Sequence, residues 1–200
     1  MSLKDDIILE SMKLFSLKGF VNTGVNEIIE AVNSSKGGFY NHFASKEDLF
    51  YEVLAHAQKI WRERVLCGLK EIDSPLEKVV RIIENYRDRY LKDGENFPGG
   101  CIFITFSVEL DDQYPQLMQE VNKGFVGLKN MIRGFLDEAK ASGELKQTVD
   151  TQTATEMIFS GMIGSSVLFG VEKSTLTVDR SLNALIDYLN EVRNREILVG

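Results

Sequence analysis

Two hundred residues with a net charge of −7 and an isoelectric point near 5.0 can bury a full core, as one large domain or two small ones. With 44% hydrophobic and 26% charged residues, the composition is that of a soluble globular chain and argues against disorder. No run of eighteen apolar residues, and no apolar segment behind Lys4, Asp5 and Asp6, supports membrane spanning or export, so the protein is expected in the cytoplasm with Cys67 and Cys101 as reduced thiols.

Only Pro75, Pro98 and Pro115 interrupt long stretches of helical apolar spacing, and no strand-like alternation competes, which makes the expected fold all-α. Ile7, Ile8, Ser11, Leu14 and Phe15 share one face of a first helix that Gly19 ends. Thr23 can cap a short second helix with Val25, Ile28, Ile29 and Val32 inward. Asn33-Ser34-Ser35 then breaks the pattern, and a third helix runs from Lys36 to Phe43, so helices two and three are joined by a turn of about three residues, the spacing of a helix-turn-helix.

Ser45 and Asp48 stand three apart before an apolar run, a capping pattern that starts a long helix near Lys46. Leu49, Phe50, Val53, Leu54, Ala57, Ile60 and Trp61 give it one broad face, long enough to link two domains rigidly. Ser74-Pro75 opens the next helix, which passes Tyr86 and Tyr90 on its way to Gly94. A loop to Gly100 follows, then a short apolar helix over Cys101 to Leu110 and a long one from Pro115 to Ser142, ended by Gly143. Thr151 to Phe169 forms a helix with small residues on one face, and Leu182, Leu185, Ile186 and Leu189 line a last helix from about Val178 to Arg193, beyond which the chain is expected to fray. Glu109, Asp111 and Asp112, near the end of the short apolar helix, read as a solvated acidic turn in preference to a cation site.

The charge is unevenly placed. Through Lys46 the bases Lys4, Lys13, Lys18, Lys36 and Lys46 balance the acids Asp5, Asp6, Glu10, Glu27 and Glu30, so residues 47–200 carry the whole deficit. A neutral head on an acidic body permits DNA binding through that head.

Gly19-Phe20, Thr23, Val25, Ile28, Ala31, Ser35-Lys36-Gly37, Phe39-Tyr40, His42-Phe43 and Ser45-Lys46-Glu47-Asp48-Leu49 together closely resemble the N-terminal region of TetR-family transcriptional regulators. The resemblance implies a helix-turn-helix DNA-binding domain over 1–46 and an effector-binding and dimerisation domain over 47–200. It departs from the family at Asn33, where glycine is usual, but asparagine is the next-best residue for a left-handed turn. The pair Gly37-Gly38 is a second departure; each glycine costs about 0.5–1 kcal/mol of helix stability relative to alanine, and close approach of the backbone to DNA is the gain that would offset it.

By the same resemblance the third helix enters the major groove. Lys36 is then the candidate for guanine or phosphate, and Asn41 for adenine or phosphate. Tyr40, His42, Thr23 and Lys46 contact the backbone, Ser35, Gly37 and Gly38 complete the surface, and Phe39 and Phe43 face the core. The family's homodimer forms through its last two long helices, here 151–169 and 178–193, which implies a palindromic double-stranded operator.

Trp61, Cys101, Phe103, Phe106, Met118, Phe125, Phe159, Met162 and Phe169 supply aromatic and flexible apolar surface that serves either as core or as the wall of a small-molecule effector pocket. Gly99-Gly100-Cys101 with Glu109-Leu110 is similar to a TetR subgroup that includes an N-ethylmaleimide-sensing regulator, so Cys101 reads either as a thiol sensor or as an inert core residue. No nucleophile elbow, phosphate loop or zinc motif is present and the only histidines are His42 and His56, so no catalytic residue, metal or cofactor is expected. The reading is a ligand-responsive repressor; the alternative is a helical interaction protein of the same fold that has lost DNA binding.

Overall fold

Nine α-helices order the described residues, which are 2–110 and 112–194 of the computed structural model. They are α1 (Leu3–Lys18), α2 (Val25–Ala31), α3 (Lys36–Tyr40), α4 (Lys46–Val65), α5 (Pro75–Asn85), α6 (Ile102–Glu109), α7 (Pro115–Ala141), α8 (Thr151–Glu172) and α9 (Thr175–Val192). Among the described residues the one β feature is an isolated bridge between Leu145 and Arg193. Packing divides the chain into two units: residues up to Trp61 with Asp93–Gly124, and Arg62–Lys92 with the residues from Phe125 onward. The expected head of residues 1–46 lies wholly in the first.

The first unit is organised by what its short helices cannot do alone. Seven residues in α2 and five in α3 are too few to be stable in isolation, so their apolar faces must be covered. Ile7, Met12 and Phe15 of α1, Ile28 of α2, Phe39 of α3, and Leu49, Phe50 and Val53 of α4 are all fully buried. Phe20 sits edge-on to Phe15, Phe50 and Tyr114 at centroid distances of 5.5, 5.3 and 5.5 Å. Phe106 of α6 completes this aromatic core at 4.8 Å from Phe50 and 6.1 Å from Phe15. A fully buried phenylalanine contributes about 1.5–3 kcal/mol through removal from water. The core of the head therefore includes a helix some distance downstream of the helix-turn-helix.

In the second unit α8 packs along α9, and α9 also packs on α5. Gly161 lies against Leu185, where an added Cβ would meet the leucine methyls at 3.0 Å, so the small-residue face expected on α8 is used for close approach. The helix begun at Ser74-Pro75 does not continue evenly to Gly94: after Asn85 it widens into one π-helical turn over Tyr86–Tyr90. Tyr86 and Tyr90 stack at 5.5 Å there, the Tyr86 hydroxyl bonds to that of Ser166, and the Asn85 amide donates to the carbonyls of Val65 and Cys67 at 3.0 and 2.8 Å. Beyond α9, Arg193 pairs with Glu77 and Glu144, and the Asn194 N–H donates to the Glu144 carbonyl at 2.8 Å.

Two ends differ from the sequence expectation. α8 runs three residues past Phe169 and stops at Lys173, which takes a left-handed conformation (φ 52°). α9 begins at Thr175 because the Ser174 hydroxyl caps it, accepting from the Thr177 N–H at 3.4 Å. By length and composition α8 is apolar enough to cross a membrane, a test that core helices also pass. Asp111 of the expected acidic turn and residues 195–200 of the expected frayed end lie outside the described residues.

Candidate nucleic-acid interface

The turn between α2 and α3 is a complete Schellman motif. The Ser34 N–H donates to the Ile29 carbonyl at 3.0 Å and the Asn33 N–H to the Glu30 carbonyl at 3.1 Å, with Asn33 at φ 49°. Asparagine thus takes the left-handed place usually filled by glycine, as expected. Ser35 then caps α3 by accepting from the Gly38 N–H at 3.1 Å.

Helix α3 ends at Tyr40, three residues short of the expected Phe43. Phe39 and Phe43 still point inward, fully buried and 5.7 Å apart. Their burial fixes the opposite face outward: Ser35, Lys36, Gly37, Tyr40, Asn41 and His42 are exposed, and Tyr40 keeps 54% of its surface in solvent although its ring packs on Phe39 at 5.2 Å. Gly38 is half-buried, with the Ser34 hydroxyl where a Cβ would stand and Leu3 beside it. Gly37, by contrast, has open space above it.

Electrostatics single out one base. Lys4 pairs with Glu52 at 2.8 Å, Lys13 with Glu10 at 2.8 Å, and Lys18 with Glu27. Lys46 is occupied internally: its ammonium donates to the carbonyls of Phe20, Thr23 and Val21 at 2.8, 3.0 and 3.4 Å and lies 4.3 Å from the Phe20 ring. Burial pushes the Lys46 pKa down, against the charges of Glu47 and Glu109. Among the described residues through Lys46, Lys36 is the basic side chain left without a protein partner, and it stands on the exposed face of α3.

Two of the expected backbone contacts are placed differently. Thr23 is fully buried and its hydroxyl donates to the Gly19 carbonyl at 2.6 Å, so it does not cap α2; Gly24 occupies that position without a side-chain bond. Lys46 lies where expected along the chain, at the start of α4, but its ammonium points into the α1–α2 turn. The start of α4 itself follows the sequence pattern: the Asp48 N–H donates to Ser45 at 3.1 Å and the Asp48 carboxylate accepts from the Ala44 N–H at 3.0 Å.

The nine effector candidates fall into both units. Phe106 belongs to the aromatic core of the first, with Cys101 buried at the N-terminal end of α6 and Trp61, Phe103 and Met118 half-buried. In the second, Phe125 and Phe159 meet edge-on at 5.6 Å, with the Lys129 ammonium 5.6 Å from the Phe159 ring and 3.3 Å from Glu156. Met162 is buried and Phe169 half-buried. Sequence reasoning gave Glu109 a different place from the one it takes at the last residue of α6. It does not sit in a solvated acidic turn: its carboxylate lies against the Cα of Gly19, where a Cβ would stand 1.5 Å from Oε1. Nothing local marks it, since its partner lies 88 residues upstream in the chain.

Residues 7–53 match a model described as bacterial regulatory proteins, tetR family, and residues 75–185 match one described as tetracyclin repressor-like, C-terminal domain. The chain is 26% identical over 161 residues to the fatty acid metabolism regulator protein of Bacillus subtilis, covering 80% of this chain and 79% of that one. It is 19% identical over 188 residues to the Escherichia coli transcriptional repressor NemR, covering 90% and 89%. A crystal structure of a TetR transcriptional regulator from Chloroflexus aurantiacus superposes with a TM-score of 0.88 over 96% of each chain at 24% identity, and shares the fold. With more than half of its length inside one model of the family and its DNA-reading segment inside another, the protein belongs to the TetR family of bacterial transcriptional regulators.

Proposed function

We propose that the protein is a homodimeric repressor, working in the cytoplasm, that reads a palindromic operator through α3 and is released when a small apolar or electrophilic molecule binds its effector domain. The observation that carries this reading is Lys36, unpartnered on the exposed face of α3 beside Tyr40, Asn41 and His42. In the major groove Lys36 contacts guanine or phosphate, Asn41 reads adenine or binds phosphate, and Tyr40 and His42 hold the backbone. Gly37 lets the helix backbone come close.

One reader of this size with a single free base binds weakly, so two are required, set about one DNA turn apart by a two-fold axis. The surface supporting such an axis is apolar: Met157, Val167, Leu168 and Val171 of α8 and Leu176 of α9 are exposed. A partner's α8 and α9 would cover them.

Release requires that effector and operator prefer different dimer conformations, typically by about 1–3 kcal/mol, and that each weaken the other's binding by the same factor. The name of the Bacillus subtilis relative makes fatty acids one class of compound to try, and Cys101 makes electrophiles another. The test is selection of sites from random duplex DNA, followed by mobility shifts with fatty acids, oxidants and N-ethylmaleimide and by sedimentation of the free protein. A palindromic consensus bound by a dimer is expected. Failure to select any sequence favours the helical interaction protein, and a compound that binds free and operator-bound protein equally is not the effector. If Cys101→Ser leaves every electrophile response intact, the thiol has no part in release.

A further inference from the structure

The helix-turn-helix is held by a polar clasp that reaches it from α6. The α1–α2 turn runs from Gly19 to Thr23 and is bonded by two charged side chains. The Lys46 ammonium, at the start of α4, donates to the carbonyls of Phe20, Val21 and Thr23. The Glu109 carboxylate, at the last residue of α6, accepts from the Val21 N–H at 3.4 Å and lies against Gly19. Gly19 sits at φ 84°, a backbone conformation that requires glycine, and a side chain there would displace that carboxylate.

An acid at a helix C-terminus faces the negative end of the dipole and is misplaced unless a donor elsewhere compensates. Here the Val21 N–H and the nearby Lys46 charge compensate. The other end of the same helix is pinned to α1 as well: the Gly99 N–H donates to the Ser16 hydroxyl at 3.0 Å, and that hydroxyl donates to the Gly100 carbonyl at 3.2 Å. Between the two ties Phe106 fills the aromatic core. A head consisting of residues 1–53 alone lacks all three supports.

We propose that Glu109 is a positioning residue for DNA reading: from α6 it fixes the α1–α2 turn against Lys46, and thereby the placement of α2 and α3, without touching DNA itself. Lys46 acts in the same way, through the turn. The proposal rests on the DNA-reading assignment made above.

The experiment uses the full chain and one duplex recovered by wild-type selection from random DNA. Affinity is measured across a salt series for wild type, Glu109→Ala, Glu109→Gln, Lys46→Ala and Lys36→Ala, alongside amide hydrogen exchange at residues 19–23. Losing a phosphate contact lowers the slope of log affinity on log salt by about 0.9. Glu109→Ala and Lys46→Ala are expected to weaken binding at least fivefold, to keep the wild-type slope and to speed exchange at Val21. Glu109→Gln, which retains an oxygen acceptor for that N–H, returns to within about twofold of wild type. Binding by Glu109→Ala within twofold of wild type overturns the positioning role, as does a glutamine variant no better than alanine. A Lys46→Ala slope reduced by about 0.9 restores Lys46 as a phosphate ligand and overturns its part in the clasp. A wild type that selects no sequence ends the DNA-reading assignment itself, and this one with it, so the two failures are distinct.

Discussion

Gly37→Ala separates the stability of the recognition helix from its fit to DNA. An added methyl at Gly37 meets nothing nearer than the Ser35 hydroxyl at 3.8 Å, so it gains helix propensity without a clash. That gain is about 0.5–1 kcal/mol, or a rise of about 1–4 °C in melting temperature for a chain of this length. The same methyl projects from the exposed face of α3, which the proposed function puts in the major groove. A local misfit of this kind costs about 1–3 kcal/mol of DNA binding, a loss of roughly 5- to 150-fold. Stability and affinity therefore move in opposite directions. Gly38→Ala behaves differently, because its methyl falls 2.4 Å from the Ser34 hydroxyl and 3.4 Å from Leu3, and the serine must rotate away before any propensity is gained. Urea melts at one fixed protein concentration and anisotropy titrations of the selected duplex at fixed salt read both quantities. A Gly37→Ala protein that binds as tightly as wild type refutes the close-approach argument, and a Gly38→Ala protein stabilised as much as Gly37→Ala refutes the steric one.

Phe106→Ala, which empties the middle of the aromatic core, is expected to cost about 3–5 kcal/mol in urea denaturation, whereas half-buried Phe125→Ala costs clearly less; equal losses would mean that Phe106 is not core. The Arg87 guanidinium, helped by Lys92, holds the Asp88 carboxyl down at about 2 against a usual 3.8. Its contribution is therefore complete above about pH 3.8 and is lost as pH falls toward about 2. Asp88→Asn should flatten that limb of the stability profile by less than about 1 kcal/mol, since the Asp88 side chain is 45% exposed and solvent screens the pair, and an unchanged limb contradicts the pairing. In the native protein a thiol reagent is expected to modify exposed Cys67 faster than buried Cys101; peptide mapping that finds the reverse order overturns the burial assignment.

Much of the head is legible in the sequence because its determinants are local. Apolar spacing marks α1 and α2, Ser35 and Ser45 mark helix starts, and Asn33 marks the left-handed residue of a turn closed by hydrogen bonds within six residues. Phe39 and Phe43 are assigned inward by the resemblance, which leaves Lys36, Tyr40, Asn41 and His42 outward, and their burial agrees. Thr23 fails the same kind of reasoning: a threonine before a helix is a capping residue by type, but here the Gly19 carbonyl, exposed by the end of α1, competes successfully for its hydroxyl. The π-helical turn at Tyr86–Tyr90 is likewise hidden, since stacking of the two rings and the bond to Ser166 depend on α8, some eighty residues away.

The effector candidates mark the boundary most sharply. Composition can say that Phe106, Phe125 and Phe159 are apolar and helical; it cannot say that Phe106 joins the DNA-reading unit while Phe125 and Phe159 meet in the other. The sequence by itself determined an all-α chain with a helix-turn-helix and an exposed face carrying Lys36, because hydrophobic periodicity and capping act over a few residues. Only the tertiary structure decided which charges are spent internally. Lys46 is committed to three carbonyls and Glu109 to the α1–α2 turn because folding brings α1, α4 and α6 together, and pairing across 88 residues of chain leaves no local pattern to read.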